Sequence, residues 1–129
     1  SDAPFQAAER GEEEAVLAWL EGGGRADATY ERGEVSGLTL LMGAAAHGHE
    51  RVVNLLLRHG AEVNLQNSHS GTALMAAANH GRERVVELLL QHGAEINMQN
   101  SDGSTALMSA VSNGHERVID LLIRRGAER

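Results

Sequence analysis

Apolar residues in this chain fall into two alternating kinds of block. In "TALMAAANHGRERVVELLLQHGAEINMQN", residues 72–100, a short run of Leu, Met and Ala ends at Gly81. A longer run carrying Val85, Val86, Leu88, Leu89 and Leu90 ends at Gly93. The first run is rich in the best helix former and follows Thr72, whose hydroxyl suits an orphan amide of the first turn, so a short helix is predicted over 73–80. The second run predicts a helix from about 82 to 92, with an apolar face too broad for burial on one side only. Beyond Gly93, Ile96 and Met98 alternate with polar neighbours as far as Asp102-Gly103. That pattern predicts a short extended arm closed by a tight turn. The unit is therefore a hairpin finger, a helix, a turn and a second helix.

The unit recurs. Thr39, Thr72 and Thr105 open nearly identical segments 33 residues apart, and residues 39–68 differ from 72–101 at only eight positions. A degenerate copy, "FQAAERGEEEAVLAWLEGG", lies 37 residues ahead of "MGAAAHGHERVVNLLLRHG", with Phe5 under Met42 and Gly11 under Gly48. Its four extra residues are assigned to "ATYERGEVSG", because both helical patterns align without gaps, so the first finger is longer than the others. Each second helix begins with an acid (Glu50, Glu83, Glu116) and ends near Arg58 and His59, Gln91 and His92, or Arg124 and Arg125, which complements the helix dipole. Gly60, Gly93 and Gly126 stand where left-handed helix stops are expected.

"GSTALMSAVSNGHERVIDLLIRRGAE", residues 103–128, resembles the ankyrin repeat family, whose pattern is G-x-T-P-L-H-x-A-x-x-x-G-H-x-x-V-V-x-x-L-L-x-x-G-A. The resemblance covers nearly the whole chain and is weakest over 1–38. It implies an all-α repeat solenoid, an elongated curved array forming one domain over 1–129, with repeats at about 1–33, 34–66, 67–99 and 100–129. The usual Pro is replaced by Leu40, Ala73 or Ala106, and the usual His by Met42, Met75 or Met108. In the second finger "NSHSG" stands where Asp102-Gly103 follows the family, which leaves its turn type open.

The resemblance also implies a non-enzymatic protein-interaction module that meets a protein or peptide with its fingers and the exposed side of its first helices. Carried over residue by residue, the contacts are Tyr30, Glu31, Arg32, Val35, Ser36 and Leu38 in the first finger, with Tyr30 the leading anchor. Ser68, His69 and Gly71 follow in the second finger, and Ser101, Asp102 and Ser104 in the third. The helices contribute Gly43, Ala46 and His47, then Ala76, Asn79 and His80, then Ser109, Ser112 and Asn113. Ala46, Asn79 and Ser112 share one position that varies while its surroundings repeat, so packing leaves it free for a ligand. Asn64 and Asn97, in the contexts of Leu56, Glu62 and Val63 and of Leu89, Glu95 and Ile96, resemble ankyrin asparagines that an oxygen-sensing hydroxylase modifies. Their alternative role is hydrogen bonding to the finger backbone.

Composition narrows the chemistry. Residues 1–34 carry nine acids against Arg10, Arg25 and Arg32, a net of −6 out of −7 for the chain, and lysine is absent. Such a balance disfavours direct nucleic-acid binding. No apolar run approaches the roughly 18 residues of a membrane span, so no membrane insertion is expected. The absence of cysteine fits a reducing, intracellular setting, in cytoplasm or nucleus. His115-Glu116 lacks the second His of a zinc protease motif, since Ile119 stands in its place. Ser109 and Ser112 have no recurring base beside them. The pairs His47/His80 and His59/His92 are spaced for at most two metal ligands, where a stable site wants three or four, so neither metal nor cofactor is expected. Glu12, Glu13 and Glu14 serve the dipole of the first copy's second helix or an acidic docking patch, and Gly22 to Gly24 form a helix stop. The last helix keeps its apolar Val118, Ile119, Leu121, Leu122 and Ile123, which suggests self-association or docking through that end, to another domain or to further repeats of a longer parent chain.

Overall fold

The computed structural model describes residues 2–128. Four helix pairs follow one another: α1 (Ala3–Arg10) and α2 (Glu13–Glu21), α3 (Leu40–Ala46) and α4 (Glu50–Arg58), α5 (Ala73–Asn79) and α6 (Glu83–Gln91), and α7 (Ala106–Ser112) and α8 (Glu116–Arg124). The first helices stack as one layer, α1 on α3 on α5 on α7, and the second helices stack behind them in the same order. This is an all-helical repeat solenoid, and each helix is within two residues of its expected span at either end.

Local chemistry sets each boundary. Thr39, Thr72 and Thr105 accept from the amides of Met42, Met75 and Met108, each at 3.2 Å, and all three threonines are buried. Losing such a cap costs about 1 kcal/mol. The second helices end on Gly60, Gly93 and Gly126 at φ 88°, 90° and 101°. The next amide, of Ala61, Ala94 or Ala127, reaches back to Leu56, Leu89 or Leu122 and satisfies a terminal carbonyl. In the first repeat the equivalent left-handed stop is Gly23, whereas Gly22 remains at negative φ.

The fingers differ from the expected hairpins. Paired strands occur, among the described residues, only in the first finger, where β1 (Thr29–Arg32) runs antiparallel to β2 (Val35–Thr39) with Tyr30 opposite Leu38. The other two fingers are single turns, closed by Asn67 donating to Gly71 and Asn100 donating to Ser104 through their backbones. The reason is length: the four extra residues between Asp27 and Gly37 give the first finger room for a second strand. The "NSHSG" turn is nonetheless built like its neighbour. Asn67 Oδ1 accepts from the amides of His69 and Gly71, as Asn100 Oδ1 accepts from Asp102 and Ser104. Ser70 takes φ 59° where Gly37 and Gly103 stand in the other fingers, a conformation that costs a residue bearing Cβ about 1 kcal/mol.

Each repeat has one face toward its predecessor and one toward its successor. Val52, Val85 and Val118 are buried on the first kind of face; Ala45, Ala78, Met42 and Met75 are buried on the second. A polar join accompanies the packing. His49 Nε2 bonds the Glu9 carbonyl at 2.7 Å, Arg82 Nε donates to the Ala46 carbonyl at 3.0 Å, and His115 Nε2 bonds the Asn79 carbonyl at 2.9 Å. These side chains lie directly over Gly11, Gly48 and Gly81, where a Cβ would come within 2.6, 2.9 and 2.6 Å of them. A second join runs through the loops, where Asp27, Asn64 and Asn97 accept from the amides of Glu62, Glu95 and Glu128.

The open apolar surface at the last repeat is not the one expected on α8. Val118, Leu121 and Leu122 are buried, because α8 packs on α6 and α7, while Ile119 and Ile123 are partly covered. The exposed residues are Met108 at 47% and Val111 at 57%, both on α7. They hold the positions of Met75 and Ala78, which are buried against the next repeat, and no following repeat covers them among the described residues.

Candidate partner-binding groove

Stacking the first helices beside the fingers leaves a cavity of about 380 Å³. Its floor is Met42, Gly43, Ala46 and Ala76 from α3 and α5; Val35 and Leu38 of β2 form one wall, and Asn67, His69 and Thr72 continue it. Phe5 and Glu9 of α1, with Arg32 of β1, close the end nearest the first repeat, and His47 and His80 complete the lining. Small side chains make the floor. Ala46 and Ala76 are half-buried, and Gly43 is buried where a Cβ would press on Phe5 and Glu9 at 3.1 Å.

The first finger is fastened to α1 by a mixed cluster. Arg32 makes a two-pronged bond to Glu9, at 2.5 and 2.7 Å, and lies over the Phe5 ring at 5.1 Å. The hydrogen bond from Arg32 holds the Glu9 carboxyl below its ordinary range, against the opposing effect of burial, and the same bond raises Arg32. Tyr30 also packs on Phe5, ring centres 5.5 Å apart, and burial raises its phenol. It lines a separate apolar recess with Pro4, Ala15 and Trp19 rather than the groove.

His47 and His80 each hold Nδ1 on a carbonyl four residues back, Gly43 at 3.1 Å and Ala76 at 3.0 Å. A carbonyl can only accept, so Nδ1 carries the proton. No bond to Nε2 of either ring is present among the described residues. His47 also stacks on His49 at 6.2 Å.

Of the residues expected to meet a partner, the cavity gathers Arg32, Val35, Leu38, Gly43, Ala46, His47, His69, Ala76 and His80. Others lie along the same face but are engaged with one another. Ser36 and Ser68 exchange two bonds across neighbouring fingers, Ser101 donates to the His69 carbonyl, and Asn113 donates to the Asn79 side chain at 2.8 Å. Glu31, Asp102, Ser112 and Asn113 are exposed, while Gly71, Ser104 and Ser109 are half-buried. Asn64 uses both ends of its amide, donating to the Gly93 carbonyl at 3.2 Å and accepting from the Glu95 amide at 2.8 Å, and Asn97 accepts from Glu128. Phe5, Glu9, Met42, Asn67 and Thr72 belong to the lining and are not among the partner contacts expected from the sequence. Glu9 was within reach, because a 37-residue offset places it at the variable position of Ala46, Asn79 and Ser112.

Stacked helix pairs with a lined recess define a helical-repeat scaffold. The family model described as ankyrin repeats (three copies) matches residues 4–100 and again 41–128, so the chain belongs to the ankyrin repeat family. The two windows begin 37 residues apart, which is the offset between the first repeat and the second. A comparison with curated proteins finds no match. Repeats of this family are generally protein–protein interaction modules. No helix among the described residues is long and apolar enough to cross a membrane, and none of their His, Asp or Glu residues form a group of three placed to hold a metal ion.

Proposed function

We propose that this chain is a non-catalytic binding module that takes a segment of a partner protein into the cavity between the first finger and helices α1, α3 and α5. The observation that carries the reading is the lining. An apolar floor of small side chains is bordered by a few placed polar groups, at the small end of the volume range of ligand sites, about 300–1,000 Å³. The scaffold tolerates change at the floor, since the position of Ala46 is Glu9, Asn79 or Ser112 in the other repeats.

Ala46→Trp should fill the cavity while leaving helicity and melting temperature almost unchanged. Proteins captured specifically by the unmodified chain should be lost from the variant by tenfold or more, the scale of an anchor worth about 2 kcal/mol. Equal capture by both forms refutes the groove as the binding site.

The exposure of Met108 and Val111 supports a second reading, in which the α7 face of the last repeat serves assembly. Light scattering should then show mass rising with concentration, and Val111→Glu should abolish the rise. A constant monomer mass rules this use out.

A further inference from the structure

We infer that the segment taken by the groove is cationic: an apolar side chain seated in the cavity, with Lys or Arg beside it. The inference rests on the groove reading above and adds the partner's charge. The cavity abuts the first repeat and its finger, which hold most of the chain's net negative charge: residues 1–34 carry nine acids against three arginines. Arg32, the one Lys or Arg side chain of the lining, is occupied by its two-pronged bond to Glu9. Glu31 and Glu34, exposed in the first finger, have no bonding partner among the described residues, and Asp102 is exposed on the third finger.

Two further polar side chains of the lining can accept as well. With Nδ1–H held by a backbone carbonyl, a neutral ring at His47 or His80 leaves Nε2 as a lone pair for a donor. A carboxylate in the groove would find acids around it and no Lys or Arg in the lining that is not already bonded. An ammonium or guanidinium finds acceptors and a negative field, and the seated apolar side chain fixes its register.

The experiment is a selection from a random peptide library displayed on phage, with the whole chain as bait. Affinities of the selected peptides are then measured by fluorescence anisotropy on the unmodified chain, on Ala46→Trp, on Glu31→Gln/Glu34→Gln and on Glu13→Gln/Glu14→Gln. The expected result is enrichment of Leu, Ile, Met or Phe flanked by Lys or Arg. Affinity should fall at least tenfold in Ala46→Trp and about threefold in the finger double variant, the scale of exposed charge pairs. It should be unchanged in the α2 double variant, because α2 contributes no residue to the lining whereas the first finger contributes Arg32, Val35 and Leu38, and it should weaken with added salt.

Selected peptides that are acidic or uncharged but sensitive to Ala46→Trp would leave the groove standing and overturn its charge preference. Cationic peptides indifferent to Ala46→Trp, or weakened equally by both double variants, would overturn the inference as attraction to an acidic chain as a whole. Absence of any selected peptide would overturn it together with the groove reading.

Discussion

Gly81→Ala is expected to lower stability by about 2 to 3 kcal/mol, and Gly114→Ala by only about 1 kcal/mol, although the two glycines have nearly the same backbone. Their φ angles are 71° and 69°, and each terminates a first helix. A Cβ in this conformation costs roughly 1–2 kcal/mol, partly offset by the reduced freedom of the unfolded chain. That contribution is common to both. At Gly81 the new methyl meets His115 Nδ1 at 2.6 Å and Cε1 at 2.9 Å, whereas at Gly114 nothing lies within 4 Å. The ring cannot swing aside freely, because its Nε2 is held by the Asn79 carbonyl. Moving it strains the join between the third and fourth repeats, with a cost in the range of core overpacking. Urea denaturation of the two variants isolates that cost as a difference. Equal losses would mean that the imidazole is not seated over the glycine.

Leu89→Ala is expected to cost about 3 kcal/mol and to broaden the unfolding transition. Leu89 is fully buried in α6, which packs on α4 and α8. Truncating such a leucine loses transfer free energy and leaves a cavity, at about 2–5 kcal/mol. In a solenoid each repeat is held only by its neighbours, so a lesion in the third repeat weakens both of its couplings. Leu90→Ala, at a half-covered position of the same helix, should cost about 1 kcal/mol and leave the transition sharp. Circular dichroism against urea checks both, and a loss below 1 kcal/mol for Leu89→Ala would contradict the burial.

Periodicity made most of the fold legible before any coordinates. Thr39, Thr72 and Thr105 in register dictated the caps, and the two apolar blocks dictated the helix pairs. The fingers were over-read as hairpins, because alternation of Ile96 and Met98 is shared by a paired strand and by an extended arm resting on the stack. Neighbour-dependent burial was also hidden. Val111 and Ala78 are the same position, and only the presence of a following repeat makes one buried and the other exposed. The cavity lining was legible where a position varied among copies, as at Ala46. Phe5 and Glu9 were hidden because the first repeat matches the others only loosely, so a change there does not stand out from its surroundings. The long first finger drew attention to Tyr30 for its size, yet the pairing of β1 with β2 turns that ring toward Trp19 and brings Arg32 to the cavity instead.

The join formed by His49, Arg82 and His115 gives the stack a direction. In the first repeat the matching residue is Glu12, with the same backbone angles as its counterparts but a side chain that can only accept when ionised. Setting the first repeat of one molecule on the last repeat of another would bring that carboxylate against the Ser112 carbonyl, oxygen against oxygen. Head-to-tail growth into a filament therefore lacks the bond that holds every internal junction. If two molecules meet through their Met108 and Val111 faces, the arrangement left to them is a closed two-fold pair, which stops at two.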